Sequence, residues 1–226
     1  MTIIYEGRLS DSPYIETIWR GHSDRNYSRT CPADSRWNLL LLKEKGRVKV
    51  TVEGPTTRAI SKFNADSTEF LVIKFKLGVF LPAFLLTELV NTDLLLPEAT
   101  RSKTFWLNGS TWQFPDFENA EVFVERLARE ETLALDPVVK ATLQNQSLEI
   151  SPRTVRRRFL QTTGLTPKGL QQIERAQQAA ALLQQGESIL DTVEAAGYAD
   201  QPHLTRALKR FFGQTPAQFG KLLLAQ

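Results

Sequence analysis

The chain has little of the chemistry that enzymes, metal sites and disulfide frameworks require. It contains one cysteine and two histidines among 226 residues. A single cysteine excludes an internal disulfide, and Cys31 has no sequence cue for an activated thiol, so an inert thiol is favoured over a nucleophile. His22 alone argues against a His-rich metal site in the N-terminal half. The sequence also has no glycine-rich phosphate loop, HExxH or GxSxG motif. We therefore expect no catalytic residue, no cofactor and no metal.

Long hydrophobic runs are also missing. The longest, LGVFLPAFLL at 77–86, contains Pro82 and is too short to span a bilayer. The N-terminal MTIIYEGRLSDSPYIE lacks the basic region followed by an apolar region that defines a signal peptide. These absences predict a cytoplasmic protein with no membrane partner.

Charge of one sign does not dominate the whole chain, but it is unevenly distributed. Residues 1–139 hold 17 Lys and Arg against 19 Asp and Glu, a net charge of −2. Residues 140–226 hold 11 against 6, a net charge of +5. This excess predicts an anionic partner for the C-terminal part, with nucleic acid the first candidate, and the alternative is a solvated basic surface.

The hydrophobic patterning changes along the chain from strands to helices. In RVKVTVEGP (47–55), valine alternates with polar residues, which is typical of a half-buried strand. WNLLLLK (37–43) and FLVIKFKLG (70–78) are more uniformly apolar, as in strands covered on both faces. Short strands with turns between them predict a small antiparallel barrel or sandwich over 37–80.

A helical period follows Asp116, which can cap a helix with Ala120, Phe123, Val124 and Leu127 on its buried face. Asp136-Pro137 interrupts this helix, and the remainder is helical in pattern. An α+β fold is therefore expected, with three parts. They are a β-rich sensing or dimerisation domain (1–115), a linker helix (116–136) and a helical DNA-binding domain (137–226).

The C-terminal part contains an internal repeat. A shift of 49 residues superposes Gly164-Leu-Thr-Pro167 on Gly213-Gln-Thr-Pro216, and it places Arg157 on Arg206. Each copy predicts a short helix, a glycine stop, and a second helix opened by Thr-Pro. Between the copies, one long helix is predicted from apolar residues spaced three or four apart: Leu170, Ile173, Ala176, Ala180 and Leu183.

The second copy predicts a helix-turn-helix. Ser188 and Asp191 can form a capping box, and Gly197 occupies the turn between the two helices. In the following helix, Leu204, Leu208 and Phe211 share one face, and the cationic residues point away from it. The residues predicted to face outward, with Thr205 on the flank, are Pro202, Arg206 and Lys209.

The first copy has the same pattern, with Arg153 and Arg157 opposite Val155 and Phe159, and Arg156 on the flank. Its supporting helix is weaker, because the shift places Lys140, Gln144 and Ser147 at the buried positions. Two alternatives follow. Either another helix, such as 117–133, supports the first recognition helix, or this unit is degenerate and binding depends more on dimerisation.

These residues resemble the DNA-binding region of AraC/XylS-type bacterial transcriptional regulators. The resemblance covers residues 151–219, nearly the whole C-terminal third. Its motifs are SxRxVxRxF (151–159), GxTP (164–167), Arg175, Ala179, Leu182-Leu183, SI (188–189), GYxDQxHLxR (197–206) and GxTPxxF (213–219).

The resemblance implies a transcription factor in which a long helix joins two helix-turn-helix units. It also implies that an N-terminal domain, which is often cupin-like in this family, precedes them. Double-stranded DNA is the implied partner. A small-molecule effector, RNA polymerase and a second copy of the chain are further candidates. By family position, Arg153 and Arg157 read bases from the first unit, and Gln201, Thr205 and Arg206 from the second. Arg156 and Lys209 complete the predicted DNA-binding set.

Several residues keep two interpretations. His203 has a structural role or approaches a phosphate, with the structural role favoured. The helix at 117–133 pairs with its copy in a dimer or packs on the sheet. Six aromatic residues either line an apolar ligand pocket or, as is favoured for each singly, fill the core: Trp37, Phe63, Phe75, Phe80, Trp106 and Trp112.

Three functions are therefore compared. The main prediction is a sequence-specific DNA-binding transcriptional regulator that performs no catalysis. The alternative is a small-molecule-binding protein whose degenerate DNA-binding domain acts through protein partners. An enzyme has little support, and only loss of turnover on mutating Cys31 or His22 would revive it.

Overall fold

The computed structural model describes residues 3–98, 103–144, 146 and 148–223, and it places strands before helices along the chain. The strands are β1 (Ile3–Leu9), β2 (Ile15–Ser23), β3 (Tyr27–Cys31), β4 (Asn38–Glu44), β5 (Arg47–Glu53), β6 (Ile60–Asn64), β7 (Thr68–Phe75), β8 (Val79–Phe80), β9 (Asp93–Leu96), β10 (Thr104–Leu107), β11 (Ser110–Gln113) and β12 (Ala134–Leu135). The helices are α1 (Ala120–Arg129), α2 (Pro137–Leu143), α3 (Pro152–Thr163), α4 (Pro167–Gln184), α5 (Ile189–Ala195), α6 (Gln201–Phe212) and α7 (Pro216–Leu223), with a 3₁₀ turn at Leu86–Leu89. The predicted α+β fold class is confirmed.

The strands form one large sheet and several small ones. Six strands pair antiparallel in the order β1-β2-β7-β4-β5-β9. The strand pairs β10-β11, β8-β12 and β3-β6 form two-stranded sheets, and a bridge from Glu98 to Phe105 joins the end of β9 to β10. The strands predicted between residues 37 and 80 are therefore confirmed.

The core of the N-terminal region forms where apolar faces of the strands meet. Val50 and Val52 of β5 are buried as the alternation predicts and Lys49 is exposed, but Thr51, which the alternation assigns to the polar face, is buried as well. Trp37 stacks on Phe75 at a ring distance of 3.9 Å, and its Nε1 donates a hydrogen bond of 2.7 Å to the Val79 carbonyl. Partnering of the indole N–H allows tryptophan to be buried without an unsatisfied donor.

Five of the six aromatic residues considered as pocket-lining divide into two groups, and the sixth, Phe80, is partly buried against the core. Trp37, Phe75 and Trp112 are at most 3% exposed, and they fill the core. Phe63 and Trp106 are 66% and 42% exposed, so they lie on the surface. Core packing is thus the interpretation that the structure supports for the first three.

Helix α1 packs on the sheet of its own chain. Ala120, Val124 and Leu127 are buried, and the helix contacts β2. On its polar side, Arg8 Nη2 donates hydrogen bonds to Glu121 Oε2 (2.7 Å) and to the Phe117 carbonyl (2.8 Å). The hydrogen bond from Arg8 lowers the pKa of the Glu121 carboxyl, and the same pairing raises the pKa of Arg8. A further role of α1 in dimerisation stays a prediction.

The chain divides into two compact units, which are described separately. Unit one comprises residues 1–28, 36–55 and 63–166. Unit two comprises residues 29–35, 56–62 and 167–226. In the part of the chain that the structure describes, no helix has the length and apolar character needed to cross a membrane. The domain bounds expected at residues 115 and 136 stay a prediction.

Candidate nucleic-acid interface

The predicted repeat is confirmed in the backbone. Helices α3 and α6 each have 12 residues with a proline in the first turn, and they are related by the predicted shift of 49 positions. The side chain of Ser151 caps α3, and that of Asp200 caps α6. Each helix ends on a glycine with a φ of +72°, Gly164 and Gly213, a left-handed conformation that disfavours residues with a Cβ.

Helices α5 and α6 form the second helix-turn-helix. Ser188 Oγ accepts a hydrogen bond from the Asp191 amide (3.1 Å) and donates one to Asp191 Oδ2 (2.6 Å), so the predicted capping interaction is present. Gly197 has a φ of +68° in the turn, as predicted. This geometry allows α6 to lie across α5 with one face toward the core.

Helix α6 is held by its apolar face. Leu204 and Leu208 are fully buried and Phe211 is 5% exposed, as predicted. Leu204 and Leu208 belong to a core cluster of unit two that also contains Leu183 of α4 and Phe219 of α7. Because this face is fixed, the opposite face of α6 must point outward.

The outward face of α6 carries most of the second predicted DNA-binding set. Gln201, Arg206 and Lys209 are exposed, and Thr205 is half-buried on the flank. Within the described ranges, these four side chains make no ion pair or hydrogen bond. A cation that is exposed and unpaired remains available for an anionic partner.

Helix α3 presents the first predicted set in the same way. Arg153, Arg156 and Arg157 are exposed, whereas Phe159 is 1% exposed and Val155 is half-buried. These positions match the predicted inward and outward faces. The three arginines also lack a carboxylate partner among the described residues.

The neighbouring Arg158 is different from the other three arginines. Its Nε donates a hydrogen bond of 2.9 Å to Oδ2 of Asp136, which is 3% exposed. Asp136 Oδ1 also accepts hydrogen bonds from the amides of Val138 (2.8 Å) and Val139 (3.3 Å), and so it caps α2. This arginine therefore fixes α3 to the start of α2 and has a structural function.

Helix α2 supports α3, but in a different register from the predicted one. Its buried residues are Val138, Val139 and Ala141. Lys140 and Gln144, which the 49-residue shift would place at buried positions, are both exposed; the third position, Ser147, lies outside the described residues. Helix α2 begins three positions earlier than the repeat requires because Asp136-Pro137 is a strong helix start. It is α2, rather than the helix at 117–133, that lies against α3.

His203 packs within the second unit. Its ring meets the ring of buried Tyr198 edge to face at 5.0 Å. Burial raises the pKa of the Tyr198 hydroxyl, and the nearby Arg175 acts in the opposite direction. This contact favours the structural interpretation of His203. Tyr198 is the tyrosine of the GYxDQ motif, and residue spacing alone does not predict its contact with His203.

Unit one contains a large open cavity on the face of the six-stranded sheet. Its volume is about 770 Å³. The apolar part of the lining includes Leu41, Leu71 and Phe117. The lining also contains ion pairs, Arg20 with Glu6 (3.1 Å) and Lys43 with Glu69 (2.8 Å), and Arg20 pairs in addition with Glu118 outside the lining (3.1 Å). His22 also lines the cavity, and its Nε2 lies 3.2 Å from Asp24 Oδ1. No cluster of metal-ligating side chains occurs among the described residues.

Comparisons with known proteins agree with this geometry in the C-terminal region. Residues 146–221 match a family described as "Helix-turn-helix domain". The regulatory protein Ada of Salmonella typhimurium is 38% identical over 96 residues, which are 42% of this chain and 26% of that protein. The bifunctional transcriptional activator and DNA repair enzyme Ada of Escherichia coli is 36% identical over 94 residues, which are 42% and 25% of the two chains. The chain thus spans about a quarter of the length of these curated relatives.

Solved structures give a weaker similarity. An apo ToxT variant from Vibrio cholerae aligns with 96% of this chain and 100% of its own, at 12% identity and a TM-score of 0.41. Wild-type ToxT with a bound unsaturated fatty acid aligns over 97% and 99% of the two chains, at 11% identity and a TM-score of 0.41. At this level the fold assignment depends on the elements described above.

The region from residue 146 to 221 is a helix-turn-helix domain. This match agrees with the resemblance of residues 151–219 to the AraC/XylS type, and the two predicted recognition helices correspond to α3 and α6.

Proposed function

We propose that this chain is a sequence-specific, DNA-binding transcriptional regulator. The observation that carries the proposal is the construction of α6. Three buried apolar residues fix one face, and Gln201, Arg206 and Lys209 are exposed and unpaired on the other. Helix α3 repeats this arrangement with three arginines. A pair of such helices provides cations for phosphates and guanidinium groups for guanine edges.

The proposal assigns a role to each predicted residue. Arg153 and Arg157 of α3, and Arg206 of α6, read bases, because the guanidinium fork can bind guanine O6 and N7 together. Gln201 and Thr205 contribute further base contacts, since amide and hydroxyl groups suit adenine and thymine edges. Two residues are assigned to phosphates: Arg156 and Lys209.

The regulatory part of the proposal concerns unit one. A cavity of about 770 Å³ lined by both apolar and charged residues has the size and lining of a small-molecule site. We infer that it binds an amphipathic effector. In the proposed division into a β-rich domain (1–115), a linker helix (116–136) and a DNA-binding domain (137–226), the effector is bound mostly by the first part, and Phe117 of the second contributes to the lining. We further propose that the chain forms a homodimer, contacts RNA polymerase and is located in the cytoplasm.

A salt titration tests the proposal against its rival, a ligand-binding protein with a degenerate DNA-binding domain. The logarithm of the DNA affinity of the full chain is expected to fall linearly with the logarithm of salt concentration, by about 0.9 per phosphate contacted. The measurement is fluorescence anisotropy with a labelled, pooled random-sequence duplex. A slope near zero would favour the rival.

Replacing Arg206 by alanine is expected to cost about 1–3 kcal/mol of binding free energy at the selected site and to relax one base position. The site is first selected from random DNA with the wild-type chain, and both affinity and selectivity are then measured. Arg206→Lys keeps the charge but lacks the planar fork, so it is expected to lose selectivity as well.

Arg129→Ala, at an exposed position of α1, is the matched control for loss of one positive charge. It is expected to leave both quantities unchanged. If Arg206→Lys kept full selectivity and only Arg206→Ala lost affinity, Arg206 would be a phosphate contact. That result would contradict its assignment as a base reader.

A further inference from the structure

Two segments distant in sequence from the helix-turn-helix region belong to unit two and lie at the end of α6. We call residues 29–35 and 56–62 the flanking segments. The Ala33 amide donates a hydrogen bond of 2.6 Å to the Phe211 carbonyl. The Ala59 amide donates one of 2.8 Å to the Arg210 carbonyl. The last turn of α6 therefore receives backbone donors from both flanking segments.

These contacts fix the flanking segments firmly to α6. The last carbonyls of a helix have no partner within the helix, and here amides from elsewhere in the chain satisfy two of them. Arg210 Nε also donates a hydrogen bond of 3.2 Å to the Thr57 carbonyl. Ala33 is 2% exposed, and a Cβ on Gly213 would lie 3.1 Å from Thr30 Cγ2, so the packing is close.

The flanking segments also hold each other. The Thr56 amide donates a hydrogen bond of 2.7 Å to the Asp34 carbonyl, and the Asp34 amide donates one of 2.9 Å to Thr56 Oγ1. They are thus a defined extension of the surface of unit two at the C-terminal end of α6.

This extension carries two unpaired arginines. Arg29 and Arg58 are exposed, and neither has a carboxylate partner within the described ranges. The arginines of β1 and β2 behave differently, because Arg8 pairs with Glu121 and Arg20 pairs with Glu6 and Glu118. Positive charge is therefore neutralised on those strands and left free beside α6.

The length of α6 indicates what these arginines can reach. A helix of 12 residues is about 18 Å long, whereas the major groove is about 12 Å wide. When the N-terminal turns of a recognition helix contact base edges, its C-terminal end lies at the sugar-phosphate backbone. Cations attached to that end therefore face phosphates.

We propose that Arg29 and Arg58 bind backbone phosphates of the DNA that α6 reads, so that the flanking segments form part of the DNA interface. This inference rests on the proposed function and extends it to residues outside the helix-turn-helix region. Their contribution is independent of base sequence, because phosphate contacts position the protein and carry no sequence code.

The test compares two double variants of the full chain in the salt titration. Arg29→Ala/Arg58→Ala is expected to lower the slope of log affinity against log salt by about 1.8, about 0.9 for each lost contact. When salt is raised from about 50 to 200 mM, the fold-loss of affinity in this variant is then roughly one tenth of the fold-loss in the wild type. The control is Arg25→Ala/Arg47→Ala, which removes two exposed arginines of unit one and is expected to keep the wild-type slope.

A second pair of substitutions separates charge from structure. Arg29→Lys/Arg58→Lys keeps both positive charges and is expected to restore the wild-type slope. The inference would be overturned if Arg29→Ala/Arg58→Ala had the same salt slope as the control Arg25→Ala/Arg47→Ala. It would also be overturned if Arg29→Lys/Arg58→Lys failed to restore the wild-type slope. A flat slope in the wild type would instead reject the proposed function itself, so the two failures are distinguishable.

Discussion

Replacing Leu208 by alanine is expected to lower the free energy of unfolding by about 2–5 kcal/mol, the usual cost of removing a fully buried leucine. Leu208 has 0% exposure on α6 and packs in a cluster with Leu204 and Phe219. The substitution leaves a cavity beneath the recognition helix. Chemical denaturation monitored by circular dichroism gives the loss directly.

The matched control is Leu190→Ala in α5. The same side chain is removed there from a position that is 72% exposed, so the change is expected to stay within about 0.5 kcal/mol. DNA affinity is expected to fall in Leu208→Ala and to persist in Leu190→Ala, because only the first loosens the support of Arg206 and Lys209. Equal stabilities for the two variants would contradict the buried face of α6.

The helix-turn-helix region could be predicted from the sequence because its signals are local. Capping by Ser188, left-handed glycines at residues 197 and 213, and an apolar face at steps of three and four each depend on a few neighbouring residues. Because the 49-residue repeat relates α6 to α3, the same signals also predict the buried and exposed faces of α3. In both copies, the exposed cations followed directly from the residues that had to be buried.

Contacts between distant segments could not be predicted in the same way. Alternation in β5 indicates which face is buried, and the apolar run of β7 indicates a covered strand, but neither pattern indicates that β7 lies between β2 and β4. Likewise, nothing in the sequence of 29–35 indicates that the Ala33 amide meets a carbonyl of α6 about 180 positions later. Periodicity specifies a face, whereas partners depend on the packing of the whole unit.

The repeat also failed where a stronger local signal competed with it. Superposition would place Lys140 and Gln144 at buried positions, although charged and amide side chains are rarely buried without partners. Asp136 and Pro137 start α2 earlier and place two valines toward the core. Asp136-Pro137 therefore acts as a helix start as well as a break after the preceding helix.

The same aspartate gives the other large expected effect. Arg158→Ala is expected to lower the free energy of unfolding by about 3 kcal/mol, because it leaves the Asp136 carboxylate, 3% exposed, without its cationic partner. The arginine side chain itself is 40% exposed, so water can solvate part of the site, and the estimate lies at the lower end for a buried pair. Thermal and denaturant unfolding of the full chain measure the loss.

Arg156→Ala provides the comparison, since it removes an exposed arginine from the same helix and is expected to change stability by less than about 0.5 kcal/mol. Asp136→Asn, alone and combined with Arg158→Ala, completes a double-mutant cycle. If the ion pair joins α3 to α2, the double variant loses less than the sum of the single losses, because no unpaired buried carboxylate remains. Additive losses in the cycle would mean that Arg158 and Asp136 do not interact. Equally small effects of Arg156→Ala and Arg158→Ala would mean that both arginines face solvent. Arg158 would then be free for DNA like its neighbours, and the support of the first recognition helix would have to come from apolar packing alone.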